Sequence, residues 1–560
     1  MKIVLPKEIR GYHFARIFTI EMNDFDIERL LPSLFYLVIT SGRGRGGRKN
    51  KPTEFQAYLD RLTQHPRIKG FDDSSSRRML NRWIRAAVVQ MGRLGRGGGK
   101  GEEIEYALPN TILTYTTGFP SEIRRQRNAH VFLYQLLCGL PLGKSPAEVR
   151  NRLNNLFRNA FGYGVSIGPA PNFKGVYDGA EPIDLHALLS ICYLEGFEPT
   201  PTSPREVIDS PDPTLPVAAN VVSSDLVHYL LAYKDRLPVP ALTRGLMAIT
   251  NFGLFVYTVK LMHAVNVLVK EGVAPPAMQA GRLEASSPEL YFDFVRDRGS
   301  LSDELARACV DRDLEELRMF YGSAMLLRTI HRFAEFLPRI RDRLAGLSTP
   351  SYLFTLAGLR GDPDIKAQAR AEIARIKSSS LDACGDNDTE RGLVEETFTS
   401  LSVHAGEVEA AVGLLVEAQR KTSVESYVKW YWAVGGLRKP FGLLSGNITG
   451  RRNWRYAMSD DLLAALVQVA MVEDPTGDMA HVAVRPTMRL SEFIGFLERR
   501  YGVIINRPPS FLDDASARAA AGTNFEALKR RLRQMGFFQA LSDDFNAQYL
   551  QVPELQEIGQ

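Results

Sequence analysis

Near the C-terminus, within NFEALKRRLRQMGFFQALSDDFNAQYLQVP, Lys529, Arg530, Arg531 and Arg533 crowd into five positions. Side chains of this type neutralise phosphates, and the spacing allows a helix to present them. Phe525, Leu528, Leu532 and Met535 recur at intervals of three and four, so a helix buries them as one stripe and leaves most of the cations outside it. A second concentration is KWYWAVGGLRKPFGLLSGNITGRRNWR, residues 429–455. It holds Lys429, Arg438, Lys439, Arg451, Arg452 and Arg455 with no acid, and three of the chain's four tryptophans. Cations interleaved with aromatics suit base stacking beside phosphate neutralisation, which makes Trp454 a candidate stacking residue. The same residues would equally anchor one part of the fold to another, with arginines stacked on rings. A third concentration runs from residue 43 to 100, with fifteen Lys or Arg against four acids. In SSSRRMLNRWIRAAVV, Arg78, Arg82 and Arg85 share one helical face and Leu80, Ile84 and Ala87 another.

Catalytic patterns are sparse. GLPLGKS, residues 139–145, has one residue too few between its glycines for a phosphate-binding loop, and GRGGGKGEE lacks the hydroxyl residue after Lys100. There is no HExxH and no GxSxG, and the nine histidines are dispersed. DNDTE, residues 386–390, lacks the glycine and distal Glu of a calcium loop and reads as an exposed turn. DFDIE would put Asp24, Asp26 and Glu28 on one side of a strand, where they could hold Mg²⁺ for nuclease chemistry. Cys138, Cys192, Cys309 and Cys384 form no CxxC pair and read as buried thiols. No catalytic residue, metal ligand or cofactor is therefore assigned.

The elements that must carry these residues follow from periodicity. The 560 residues, 45% hydrophobic and 24% charged, suit a folded chain of several domains. A net charge of +5 means that nucleic-acid affinity must come from local clusters. Residues 1–215 read as a mixed α/β domain with strands in IVLP, ARIFTIEM and EEIEYALPNTILTYTTG. Two Gly-Arg segments, 41–51 and 92–101, read there as loops, and a Pro-rich linker closes the domain. Residues 216–434 read as helical. GLMAITNFGLFVYTVKLMHAVNVLV, 245–269, meets Lys260 too early for a membrane span and is expected as a core helix. Residues 435–560 contain the basic-aromatic connector and three helices, 459–472, 489–502 and one ending before Gly536. Ser459 and Ser491 are expected as N-caps, and a hairpin turning at Ser542, Asp543 and Asp544 follows. Three helices and a hairpin in this order are winged-helix-like, so the fold class is mainly α and multidomain. The N-terminus shows no secretory signal pattern, so a cytoplasmic protein away from the membrane is expected.

ALKRRLRQMGFFQALSDDFNAQYL, together with LPKEIRGYHFARIF near the start, resembles accessory proteins of bacterial antiphage defence islands, and in particular those of the methylation-associated defence system. That resemblance implies a cytoplasmic protein acting beside a methyltransferase, ATPase or nuclease. Three functions stand open: a non-catalytic subunit binding duplex DNA through Arg78, Arg82, Arg85, Arg451, Arg452, Trp454, Lys529, Arg530 and Arg533; a divergent metal-dependent nuclease; and a protein-binding scaffold.

Overall fold

The computed structural model describes residues 3–45, 55–94, 102–107, 127–162, 165–167, 175–177, 188–189, 191–192, 202–206, 212–279, 288–385, 387–404, 406–475, 477, 479, 482–540 and 548–552. The protein is mainly helical. Its centre is the 33-residue helix Val239–Glu271, apolar round most of its surface because most of it is covered. Pro216–Tyr233, Leu301–Glu335, Glu407–Val434 and Asp460–Ala470 all pack on it. By length and composition it would pass for a membrane span, yet 78% of its most apolar window is buried inside the fold. Two polar groups within this core are paired across helices: Trp430 Nε1 donates to Thr258 Oγ1 at 3.1 Å, and Asn251 Nδ2 donates to the Val434 carbonyl at 2.5 Å.

The N-terminal part wraps this bundle. ARIFTIEM is not a strand. Its Ile17, Phe18, Ile20 and Met22 are buried in irregular backbone, with the Phe18 ring 5.5 Å from Tyr257 and 5.3 Å from Phe132. Such residues signal burial first and a ladder only when a partner strand is present. The neighbouring helix Ile27–Ile39 packs on Ala129–Cys138 and Pro146–Phe161. Strands occupy part of the glycine-arginine segments: Arg43–Arg45 pairs antiparallel with Thr202–Glu206, and residues 92–94 belong to the hairpin Val89–Leu94 with Glu102–Ala107. The rest of both segments lies outside the described residues. GLPLGKS is a helix start, in which Ser145 Oγ accepts the Glu148 N–H and the Glu148 carboxylate accepts the Lys144 N–H at 2.8 Å.

The C-terminal part contains helices Asp460–Ala470, Leu490–Tyr501 and Ala515–Gln534. A three-stranded antiparallel sheet lines up as Thr487–Arg489, Gln548–Gln551 and Phe538–Ala540. Ser459 caps the first helix by accepting the Leu462 N–H, and Gly502 and Gly536, with φ of 80° and 79°, end the other two. Arg489 rather than Ser491 occupies the second helix's N-cap. The turn at 542–544 lies outside the described residues.

Candidate nucleic-acid interface

The basic-aromatic segment folds as a hairpin, Leu444–Asn447 with Gly450–Tyr456, packed on the Leu301–Glu335 helix. Alternation along the second strand puts Arg451, Asn453 and Arg455 on one face and Arg452, Trp454 and Tyr456 on the other. The strand leaves the core towards its turn, so Arg451, Arg452 and Asn453 are exposed while Trp454, Arg455 and Tyr456 are buried. Trp454 is 1% exposed and donates its Nε1–H to the Asn447 carbonyl at 2.6 Å. It is an anchor of the hairpin, and no base can reach its face, which corrects the stacking expectation. Arg451 pairs with Glu425 at 2.6 Å.

Beside the hairpin runs the loop 293–300, DFVRDRGS. Asp293, fully buried, accepts the backbone N–H groups of Val295 and Arg296 and the Ser302 hydroxyl at 2.8 Å. Burial holds its carboxyl above the ordinary value, against the pull of Ser302, those N–H groups and Arg455. Its own N–H donates to the Tyr456 carbonyl at 2.9 Å. From the other side Asn524, also fully buried, accepts the Phe294 N–H at 2.7 Å and donates to the Phe292 and Ile505 carbonyls. The loop is thus clamped between the hairpin and the last helix. Arg296, in left-handed backbone at φ 61°, donates to the Met458 carbonyl at 2.7 Å. On one side of the loop, Arg298 and Gly299 share a cavity with Asp303, Arg307, Asn453 and Arg455. On its other side, Phe294, Val295 and Arg296 line a second cavity with Thr523, Ala527, Arg530, Arg531 and Gln534.

The last helix buries Phe525, Leu528 and Leu532 as its spacing requires. Arg530 and Arg533 reach solvent, Arg533 lying 5.0 Å over the Phe538 ring, while Arg531 is held by Asp460. Lys529 turns inward. It is 8% exposed, pairs with Glu526 and lies 5.2 Å over the Phe525 ring, so its charge is already compensated and is not presented to phosphates.

The family model described as methylation-associated defense system protein MAD7 matches residues 7–553, nearly the whole chain. The chain belongs to this family. It is accordingly a component of a methylation-associated defence system. Comparison with curated proteins and with solved structures found no match.

In this MAD7-family chain the third basic segment stands on a different set of elements. Helix Ser74–Val88 packs chiefly on Phe55–Thr63 and continues into its own hairpin. It buries Leu80 and Ile84 and exposes Arg78, Arg82 and Arg85 together with Met79 and Trp83, the latter 50% exposed. Trp83 offers a ring to solvent where Trp454 does not, a distinction that needed the neighbours of each. The carboxylates near residue 24 lie on no strand. Asp24 pairs with Arg127, Asp26 is the N-cap position of Ile27–Ile39, and Glu28 in its first turn meets Lys439 Nζ at 2.7 Å. Each is engaged by a cation, and among the described residues no cluster of three or more metal-binding side chains forms. Sequence reading missed Arg296, Arg298, Arg307 and Asn453 because Asp293, Asp297, Asp303 and Glu304 interleave with these arginines and cancel the local charge sum. Their signal was the RDRGS turn before a long helix.

Proposed function

We propose that this chain is a non-catalytic, duplex-DNA-binding subunit of its defence complex, working in the cytoplasm beside subunits that supply chemistry, a methyltransferase, ATPase or nuclease among them. The observation that carries the reading is the clamped loop 293–300. It stands between Asn453 and Arg455 of the hairpin on one side and Arg530 and Arg531 of the last helix on the other, and adds Arg296 and Arg298. Cations far apart in sequence, with Arg451 and Arg452 exposed at the hairpin tip and Arg533 exposed on the last helix, would then offer a surface to successive phosphates, positioning a duplex without reading its bases. Leaving aside the two-residue strands Val472–Glu473, Ala483–Val484 and Val503–Ile504, the order helix, strand, helix, helix, strand, strand, with Thr487–Arg489 beside Gln548–Gln551, supports a winged-helix assignment for residues 460–551. Arg78, Arg82, Arg85 and Trp83 would provide a separate contact.

The test is duplex affinity across a salt series. Removing one cation that touches a phosphate should flatten the slope of log affinity against log salt by about 0.9. Arg530→Ala/Arg533→Ala and Arg452→Ala should flatten it, and Lys529→Met should not. No binding by the wild-type protein at low salt rejects this reading. The scaffold alternative would then lead, favoured by Phe336, 70% exposed in the turn after Leu301–Glu335, and Phe354, 45% exposed on the helix Thr349–Gly358, and copurification of other subunits would test it.

A further inference from the structure

The cavity beside Arg298 has a volume of about 240 Å³, and its lining is wholly polar apart from Gly299. At its floor Arg455, 9% exposed, sets Nε 3.2 Å from Asp303 Oδ1 and 3.8 Å from Asp293 Oδ2. Arg307 places its Nε 3.1 Å from Asp303 Oδ2. One buried carboxylate therefore holds two guanidinium groups at ion-pair distance, with neither Nε–H aligned for a hydrogen bond to it. Among the described residues no hydrogen bond leaves the terminal nitrogens of either arginine, and Arg298 and Asn453 at the rim make none. The start of the adjoining helix is already satisfied, since Ser300 Oγ accepts the Asp303 N–H at 3.2 Å and Asp303 Oδ2 accepts the Gly299 N–H at 3.2 Å. What remains unused is a set of forked N–H donors around a small recess. Within the lining, three arginines stand against Asp303, with Asp293 behind Arg455, and this excess of positive groups favours an anion.

We propose that this recess is a phosphoryl-group site, taking a terminal phosphate carried either by a small molecule or by the end of a nucleic-acid strand. Guanidinium forks match phosphate oxygens in geometry as well as charge. A duplex backbone is convex and singly charged at each phosphate, so it suits the outer face, whereas a terminal phosphate can enter a recess. No aromatic or aliphatic side chain lines the cavity, so the site holds the phosphoryl group and leaves any attached base unread. The inference goes beyond duplex binding, because a hydroxyl-ended duplex reports on the outer face and inorganic phosphate on the recess, and either can fail without the other.

The experiment is calorimetric titration of the full-length protein with inorganic phosphate and with pyrophosphate. Single strands bearing a 5′-phosphate or a 5′-hydroxyl form the second arm. Wild type should bind saturably, and Arg298→Gln and Arg307→Gln should each weaken binding about tenfold or more, the worth of a charge-assisted hydrogen bond. Both side chains are partly exposed, so an unchanged thermal melt separates a binding defect from a folding defect, and Arg307→Lys should recover part of the affinity. Tenfold preference for the 5′-phosphorylated strand, abolished in the variants, identifies the strand end as the source. Binding of the inorganic anions with no preference between strand ends identifies a small molecule. Absence of saturable binding by wild type to every probe, or equal binding by wild type and both variants, overturns the proposal.

Discussion

Glu28 sits 2% exposed in the first turn of Ile27–Ile39, facing Asp26 and the Lys439 ammonium. Burial, and then the hydrogen bond to Asp26, push its pKa up to about 8, although Lys439 pulls the other way. A carboxyl that keeps its proton in the folded state but loses it near 4.5 when unfolded stabilises the fold at low pH. That contribution disappears as pH rises towards 8. Burial acts oppositely on His130, holding it at about 4, so stability tied to this histidine is lost as pH falls below 6.5. The clean window for Glu28 is thus pH 6.5 to 8. There the wild type should lose stability with rising pH, by at most about 1.4 kcal/mol per pH unit, and Glu28→Gln should flatten the decline. Urea midpoints at three pH values would check this, and equal slopes would refute it. The residue scale is also where sequence reading was weakest. Tryptophan and lysine announce their chemistry by type, but Trp454 and Lys529 are enclosed while Trp83 is half open, and exposure depends on neighbours distant along the chain.

Among the elements, the turn joining the Glu407–Val434 helix to the hairpin is the most tightly built. Gly436 has φ 62°, and a Cβ there would lie 2.7 Å from the Gly442 Cα. A Cβ on Gly442 would land on the Gly436 carbonyl oxygen, and one on Gly446, at φ 141°, would lie 2.7 Å from Trp454 Cδ1. The chain folds back on itself with no room for side chains, and this close approach delivers Lys439 to Glu28 and the hairpin arginines to the loop. Gly442→Ala should therefore cost about 1–3 kcal/mol, as overpacking does elsewhere. Thermal denaturation would measure it, and an unchanged melting temperature would show that the turn can open without loss. Elements were legible where a local signal sufficed. The apolar stripe through Phe525, Leu528 and Leu532, the Ser459 cap and the glycines at 502 and 536 all stand where pattern and turn chemistry put them. Thr487–Arg489 escaped notice because a three-residue strand carries no periodicity, and ARIFTIEM misled because aromatic and branched residues mark a core lining as readily as a ladder.

Across the whole molecule, the composition change near residue 435 suggests a boundary, but the packing runs through it. Val503–Ile504 pairs in parallel with Leu290–Tyr291, and Asn524 holds the backbone at Phe292 and Phe294. Arg500 and Tyr501 both donate to the buried Asp225 carboxylate. Removing residues 1–434 would leave Asn524 without two of its three backbone partners and Arg500 and Tyr501 without their acceptor. It would also strip the cover from Trp454 and Tyr456. Buried polar groups left unpaired cost about 1–3 kcal/mol each, a large share of the stability of any small folded unit. Residues 435–560 expressed alone should therefore show helical far-ultraviolet dichroism without a near-ultraviolet signal or a cooperative melt, and coexpression with residues 1–434 should restore both. A sharp melt of the isolated fragment would show instead that the boundary is a true domain border. The distinction bears on function, because Arg296 and Arg298 stand on one side of it and Arg451, Arg452, Arg530 and Arg533 on the other. If the fragment does not fold alone, the cationic face exists only in the intact chain, and duplex binding by the fragment would report its charge and not the assembled surface.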